Sequence, residues 1–193
     1  MTARTQGERI GRCLYGAAEI SEAVERLAAG IACDYAGKPL VLLGVLKGAL
    51  YFTVDLARAL AEHGDGPSEI IVEYVCVTSY GAGGQSRGQL RLLLDETVAL
   101  EGRDVVVVED IADNGLTLKF LQSLLIERRP ASLRTCVLFD KPANRTVPVR
   151  LDYVGLTVPN AFVIGYGLDY QERYRNLPYL AELQPQESQL EAT

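Results

Sequence analysis

The chain has 193 residues, 48% apolar and 23% charged, the composition of an ordinary globular domain that can close one sizeable core. A formal net charge of -6 and a pI near 4.9 argue against a nucleic acid backbone as main partner, so any anion site must be built locally. Apolar runs such as Val41 to Leu46 are too short to cross a bilayer, and Met1-Thr2-Ala3-Arg4 carries no apolar signal core, so no membrane partner and a cytoplasmic location are expected. Cys13, Cys33, Cys76 and Cys136 form no C-x-x-C pair and read as buried thiols. The single histidine, His63, falls at an expected surface helix end, which removes Ser-His-Asp chemistry and histidine-rich metal sites.

From Ala17 to Tyr35 the apolar residues Ile20, Val24, Leu27 and Ile31 recur at helical spacing, with Lys38-Pro39 marking the exit. Leu40 to Leu46 reads as a strand, Lys47-Gly48 as a tight turn, and Leu50 to Glu62 as a second helix. Glu69 to Thr78 and Gln89 to Asp95 read as strands joined by a long loop from Ser79-Tyr80 through glycines 81, 83, 84 and 88. Val105 to Val108 is a continuous β-branched run, expected of a strand covered on both faces. Leu116 to Arg128 returns to helical period, and Ser132 to Phe139 supplies another strand. This alternation predicts a mostly parallel, doubly wound α/β sheet, with its ligands at the carboxyl ends of the strands. Residues 1–183 are expected to form one domain and the polar stretch from Gln184 to Thr193 a loose tail.

The informative residues lie at the end of the Val105 to Val108 strand. Glu109-Asp110-Ile111-Ala112-Asp113-Asn114-Gly115-Leu116-Thr117 places three carboxylates between a buried strand and a helix. Asp113, Asn114, Gly115, Leu116 and Thr117 let backbone N–H groups converge at a helix N-terminus, where orphan donors and the helix dipole favour a phosphate. The adjacent Glu109 and Asp110 suit the paired hydroxyls of a ribose, each of which can donate to an ionised oxygen. A phosphate on one side and a diol on the other describe a ribose 5-phosphate.

The same segment resembles the Glu-Asp-Ile-x-Asp-x-Gly-x-Thr signature of type I phosphoribosyltransferases, and within them the hypoxanthine-guanine branch, with Asn114 where that family usually has Thr. The resemblance extends in order over Lys47, Lys141, Phe162, Asp169 and Arg175. It implies the type I phosphoribosyltransferase fold, with a small hood and a mobile lid, and a homodimer or homotetramer. By that resemblance Lys47 and Gly48 belong to a pyrophosphate loop, often turned by a non-proline cis peptide, and Arg175 is a further pyrophosphate contact. Ser79 and Tyr80 begin the lid. Lys141 would donate to the 6-oxygen of a purine, Phe162 would stack on the ring, and the Val163 backbone would read its edge. Asp169, beside the base, would hold Mg2+ together with Glu109 and Asp110, and Asp113 would take the purine proton in catalysis.

The implied reaction moves the 5-phosphoribosyl group of phosphoribosyl pyrophosphate to a 6-oxopurine, giving IMP or GMP in purine salvage. A regulatory protein of the same fold that senses phosphoribosyl pyrophosphate is a rival, which the acidic balance opposes, and a xanthine-preferring enzyme is a second. A generic dinucleotide-binding domain fails, because Gly81-Ala82-Gly83 lacks the third glycine and no G-x-x-x-x-G-K-[ST] occurs.

Overall fold

The structure is a computed structural model that describes residues 8–80 and 89–185. In chain order the elements are β1 (Glu8–Tyr15), α1 (Ala17–Asp34), β2 (Pro39–Leu46), α2 (Leu50–Glu62), β3 (Glu69–Tyr80) and β4 (Gln89–Leu94). They continue with β5 (Asp104–Ala112), α3 (Leu116–Ile126), β6 (Ser132–Asp140), a single 3-10 turn (Pro142–Asn144), β7 (Tyr153–Thr157), β8 (Val163–Ile164) and β9 (Leu180–Pro185).

Six strands form one sheet in the order β4-β3-β2-β5-β6-β7, parallel throughout except for the β3–β4 pair. Successive side chains of a strand point to opposite faces, and here both faces are covered. Leu40, Leu42, Val106, Val108, Cys136 and Leu138 share a core with α1 and α2, while Val41, Leu43, Val45, Val105, Val107 and Val137 share one with Leu118, Leu121 and Leu125 of α3. The doubly wound α/β arrangement expected from the alternation is therefore the one observed.

A second, three-stranded antiparallel sheet, β1-β9-β8, forms the hood. Tyr15 at the end of β1 stacks on Phe139 of β6 at a centroid distance of 6.4 Å, and its hydroxyl donates to the Thr157 carbonyl at 2.6 Å. These contacts tie the hood to the far edge of the main sheet.

Several boundaries differ from the sequence expectation. β5 runs on to Ala112, because Glu109, Ile111 and Ala112 keep pairing with Val137, Phe139 and Asp140; the ladder outweighs the change in hydropathy at Glu109. α3 stops at Ile126, where the Arg128 and Arg129 N–H groups turn back to the Leu125 and Ile126 carbonyls. Gln184 and Pro185, expected in a loose tail, instead pair with Arg9 and Glu8 of β1, and residues 186–193 lie outside the described residues. The cysteines also differ. Cys136 is buried, but Cys76 is half-buried and Cys13 and Cys33 are exposed, Cys33 lying off the buried stripe of α1. His63 caps α2 but is half-buried rather than at the surface.

Leu121 is fully buried beneath the sheet, in the helix that carries the candidate phosphate loop. Leu121→Ala is expected to lower unfolding free energy by about 2–5 kcal/mol in a urea titration, with an unchanged slope.

Candidate active site

Glu109 and Asp110, the last charged pair along β5, are each only 7% exposed. Asp110 Oδ1 accepts the Ile111 N–H at 2.7 Å. Burial, reinforced by the charge of Asp110, holds Glu109 well above the usual carboxylate range; burial raises Asp110 as well, against the opposing charge of Arg175. Two acids side by side with little water are a site that gains from donors such as sugar hydroxyls, or from a cation.

The chain then turns into α3. Asn114 Oδ1 accepts the Leu116 N–H at 2.9 Å, and Gly115, at the helix N-cap, has φ +87°. A side chain at Gly115 would be strained by that φ and would crowd the Arg145 side chain and the Val147 carbonyl. Glu109, Asp110, Ile111, Asp113, Asn114, Gly115 and Thr117 line a cleft of about 280 Å³ together with residues of β2 and β3. The start of α3, whose first amides no helical turn can satisfy, borders this cleft through Gly115, Thr117 and Leu118.

The loop after β2 meets the acidic edge directly. The Leu46–Lys47 peptide is cis. Gly48 lies so close to Asp110 that a Cβ would overlap its carboxylate, and a Cβ on Gly167 would in turn overlap the Gly48 carbonyl. The Gly167 backbone is thus stacked on the Gly48 backbone, and Gly48 on the Asp110 carboxylate, without room for a side chain at either glycine. Arg175 is fixed beside them, donating to the Gly167 carbonyl at 2.8 Å and paired with Asp169 Oδ1 at 2.7 Å. Lys47 pairs with Glu172 at 3.0 Å, an exposed contact of small energetic weight.

A second cleft, of about 190 Å³, is lined by Gly48, Asp110, Ile111, Asp113, Lys141, Phe162, Val163, Leu168, Asp169 and Arg175. Lys141 is 8% exposed, with Nζ 3.8 Å from Asp113 Oδ1. Phe162 is 54% exposed, large for a phenyl ring, and meets Tyr170 edge to face. Its carbonyl accepts the Leu183 N–H of β9 at 2.9 Å, so the hood fixes the ring that lies beside the cleft. The Val163 side chain packs into the core, which leaves its backbone for any edge contact.

Asp110, Ile111 and Asp113 border both clefts, so the two are adjoining halves of one site. Most of the expected residues converge there. Lys47 and Leu116 line neither half, and the Leu116 amide is already taken by Asn114. Ser79 and Tyr80 pair with Leu90 and Gln89, while the glycine-rich lid, residues 81–88, lies outside the described residues. Ile111, Gly167 and Leu168 belong to the site without having been singled out. For Gly167 the Gly-Tyr-Gly stretch at 165–167 was the available signal; Ile111 and Leu168 are ordinary apolar residues with none.

Residues 14–171 match the family model described as phosphoribosyl transferase domain, and the chain belongs to that family. Among its relatives, a hypoxanthine-guanine phosphoribosyltransferase of Leishmania donovani is 46% identical over 165 residues, covering 82% of this chain and 77% of the relative. The bifunctional protein TilS/HprT of Listeria innocua is 41% identical over 177 residues, 92% of this chain; the chain spans only 26% of that longer protein. The solved hypoxanthine phosphoribosyl transferase of Trypanosoma cruzi superposes with a TM-score of 0.84 at 44% identity, covering 94% of this chain and 95% of that one. The type I phosphoribosyltransferase fold expected from the motif is thus the fold of the chain.

Gly48→Ala should displace the Asp110 carboxylate. A loss of about 1–3 kcal/mol in denaturant unfolding is expected, with the shift of Asp110 visible in a crystal structure of the variant.

Proposed function

We propose that the protein is a hypoxanthine (guanine) phosphoribosyltransferase, which joins the 5-phosphoribosyl group of phosphoribosyl pyrophosphate to a 6-oxopurine and releases pyrophosphate. The observation that carries this reading is the shared border of the two clefts at Asp110, Ile111 and Asp113, which sets a sugar-phosphate half against a flat, partly apolar half. The names of its relatives support it.

In this reading the amides of the 113–117 turn, apart from the Leu116 N–H that Asn114 accepts, and the Thr117 hydroxyl hold the 5-phosphate, and the paired ribose hydroxyls donate to Glu109 and Asp110. Gly48, Lys47 and Arg175 hold the pyrophosphate. Phe162 stacks on the purine, the Val163 backbone reads its edge, and Lys141 donates to the 6-oxygen, a group that adenine lacks. As positive charge grows on the ribose, the purine nitrogen attacks from the face opposite the leaving group. Asp113, on the border of both halves, takes the proton from the other imidazole nitrogen. Ser79 and Tyr80 begin a lid that excludes water from the charged sugar.

Glu109 and Asp110 in one cleft and Asp169 in the adjoining one offer carboxylate oxygens, the donor type that Mg2+ takes together with water and substrate phosphates. Bound there, Mg2+ would neutralise charge on the departing pyrophosphate. We propose further that the protein acts in the cytoplasm as a homodimer or homotetramer. Among the described residues no helix is long and apolar enough to cross a membrane, and mass measurement in solution decides the assembly.

Incubation with Mg2+, phosphoribosyl pyrophosphate and, separately, hypoxanthine, guanine, xanthine or adenine is expected to yield IMP and GMP, little AMP, and nothing once EDTA is added. Silence with every base overturns the reading. Asp113→Asn should lower kcat by about 10²–10⁴-fold with little change in thermal midpoint; wild-type turnover in that variant removes Asp113 from the chemistry.

A further inference from the structure

The loop that carries Asp113 is held from behind by a segment with no role in the reaction as described so far. Directly after Lys141 the chain makes its single 3-10 turn, Pro142–Asn144, and then runs across the back of residues 112–115. Arg145 Nε donates to the Asp113 carbonyl at 2.9 Å, and its Nη2 donates to the Ala112 carbonyl at 3.0 Å while pairing with Asp140 at 2.5 Å. The Thr146 N–H and hydroxyl donate to the Asn114 carbonyl at 3.0 and 3.1 Å. The backbone of the catalytic turn is therefore fixed by the 144–147 segment rather than by α3 alone.

One contact in this clamp reaches the reactive side chain itself. Asn144 Nδ2 donates to Asp113 Oδ1 at 2.5 Å. Oδ1 is also the Asp113 oxygen that pairs with the Lys141 ammonium, at 3.8 Å, and among the described residues the hydrogen bond to this carboxylate goes to Oδ1 and not to Oδ2. We propose that Asn144 is a positioning residue for Asp113: its amide holds Oδ1 and leaves Oδ2 as the oxygen that receives the purine proton. This rests on the role given to Asp113 above.

The chemistry of the two neighbours explains why a neutral amide is the useful group. Lys141 and Asp113 carry opposite charges a little beyond hydrogen-bonding distance, and unopposed they close into an ion pair. Such a pair withdraws the ammonium from the purine 6-oxygen and the carboxylate from the purine proton together. Asn144 fixes the orientation of the Asp113 carboxylate, with Oδ1 held 3.8 Å from the ammonium, and adds no charge of its own. Asn144 and Lys141 are also the two ends of one turn, joined by the Asn144 N–H to Lys141 carbonyl bond at 3.2 Å, and Pro142 limits its freedom. The donor that orients the base and the acceptor of its proton are thus set by one rigid frame.

The test compares wild type, Asn144→Leu, Asp113→Asn and the double variant, with phosphoribosyl pyrophosphate and hypoxanthine as substrates. Asn144→Leu keeps the side-chain volume but loses the donor. Its kcat is expected to fall about ten- to a hundredfold, the scale of a hydrogen bond to a charged group, with KM for phosphoribosyl pyrophosphate within about twofold of wild type. In the Asp113→Asn background the same change is expected to alter kcat by less than about twofold, because the carboxylate it served is gone. Asn144→Gln, which retains the amide, should recover most of the lost turnover. Wild-type kcat in Asn144→Leu overturns the proposal, as does an undiminished loss in the Asp113→Asn background, which would mark a purely structural role. Where Asn144→Leu does not fold, Asn144→Ala carries the same comparison. Wild-type turnover in Asp113→Asn alone removes the base on which the inference stands, and is read separately from the Asn144 result.

Discussion

The parallel pairing of β2, β5 and β6 is the constraint from which the site follows. Gly44 pairs with Val108 and Val108 with Cys136, so three chain segments leave the sheet at the same edge. The first delivers Lys47-Gly48, the second Glu109 to Asp113, and the third Asp140-Lys141. None of these residues is held by a helix interior or a disulfide. Their mutual positions come from ladder hydrogen bonds beneath them and from a core covered on both faces, which is why a few polar groups can be placed closely without collapsing onto one another.

That edge also explains how the protein tolerates two buried acids in contact. The same packing that excludes water from Glu109 and Asp110 brings the Gly48 backbone against Asp110 and the Gly167 backbone against Gly48. Burying like charges is unfavourable, and burial raises both carboxyl groups above the usual carboxylate range. A ligand that offers hydroxyl donors or a cation offsets that unfavourable burial. Arg175, already fixed by the Gly167 carbonyl and Asp169, needs no large rearrangement to take part.

Much of this was legible in the amino-acid order because the main sheet is buried on both faces, so its central strands appear as apolar runs, Val105 to Val108 the clearest, and its helices as apolar stripes. The Glu109 to Thr117 segment stands out because charge follows such a run abruptly. The hood was implied only by the resemblance, and its strands were not legible in the residues themselves. β1 and β9 carry arginines, glutamates and a proline among their residues and pair with each other across about 170 positions, and β8 has two residues. The same holds for Asn144 and Arg145. Nothing local distinguishes them from a polar turn, and only the return of the chain behind Asp113 and Asn114 gives them a function. Asn114 is intermediate: its position was evident from the motif, but its bond to the Leu116 amide emerges only from the folded turn.

The hood joins the two ends of the described chain, and the same small sheet anchors the carbonyl of Phe162 through Leu183. In the proposed function, recognition of the purine ring is therefore coupled to the integrity of strands remote in sequence from the acids of the sugar half. Placement of the ring and grip on the sugar would then rest on two different sheets of one molecule.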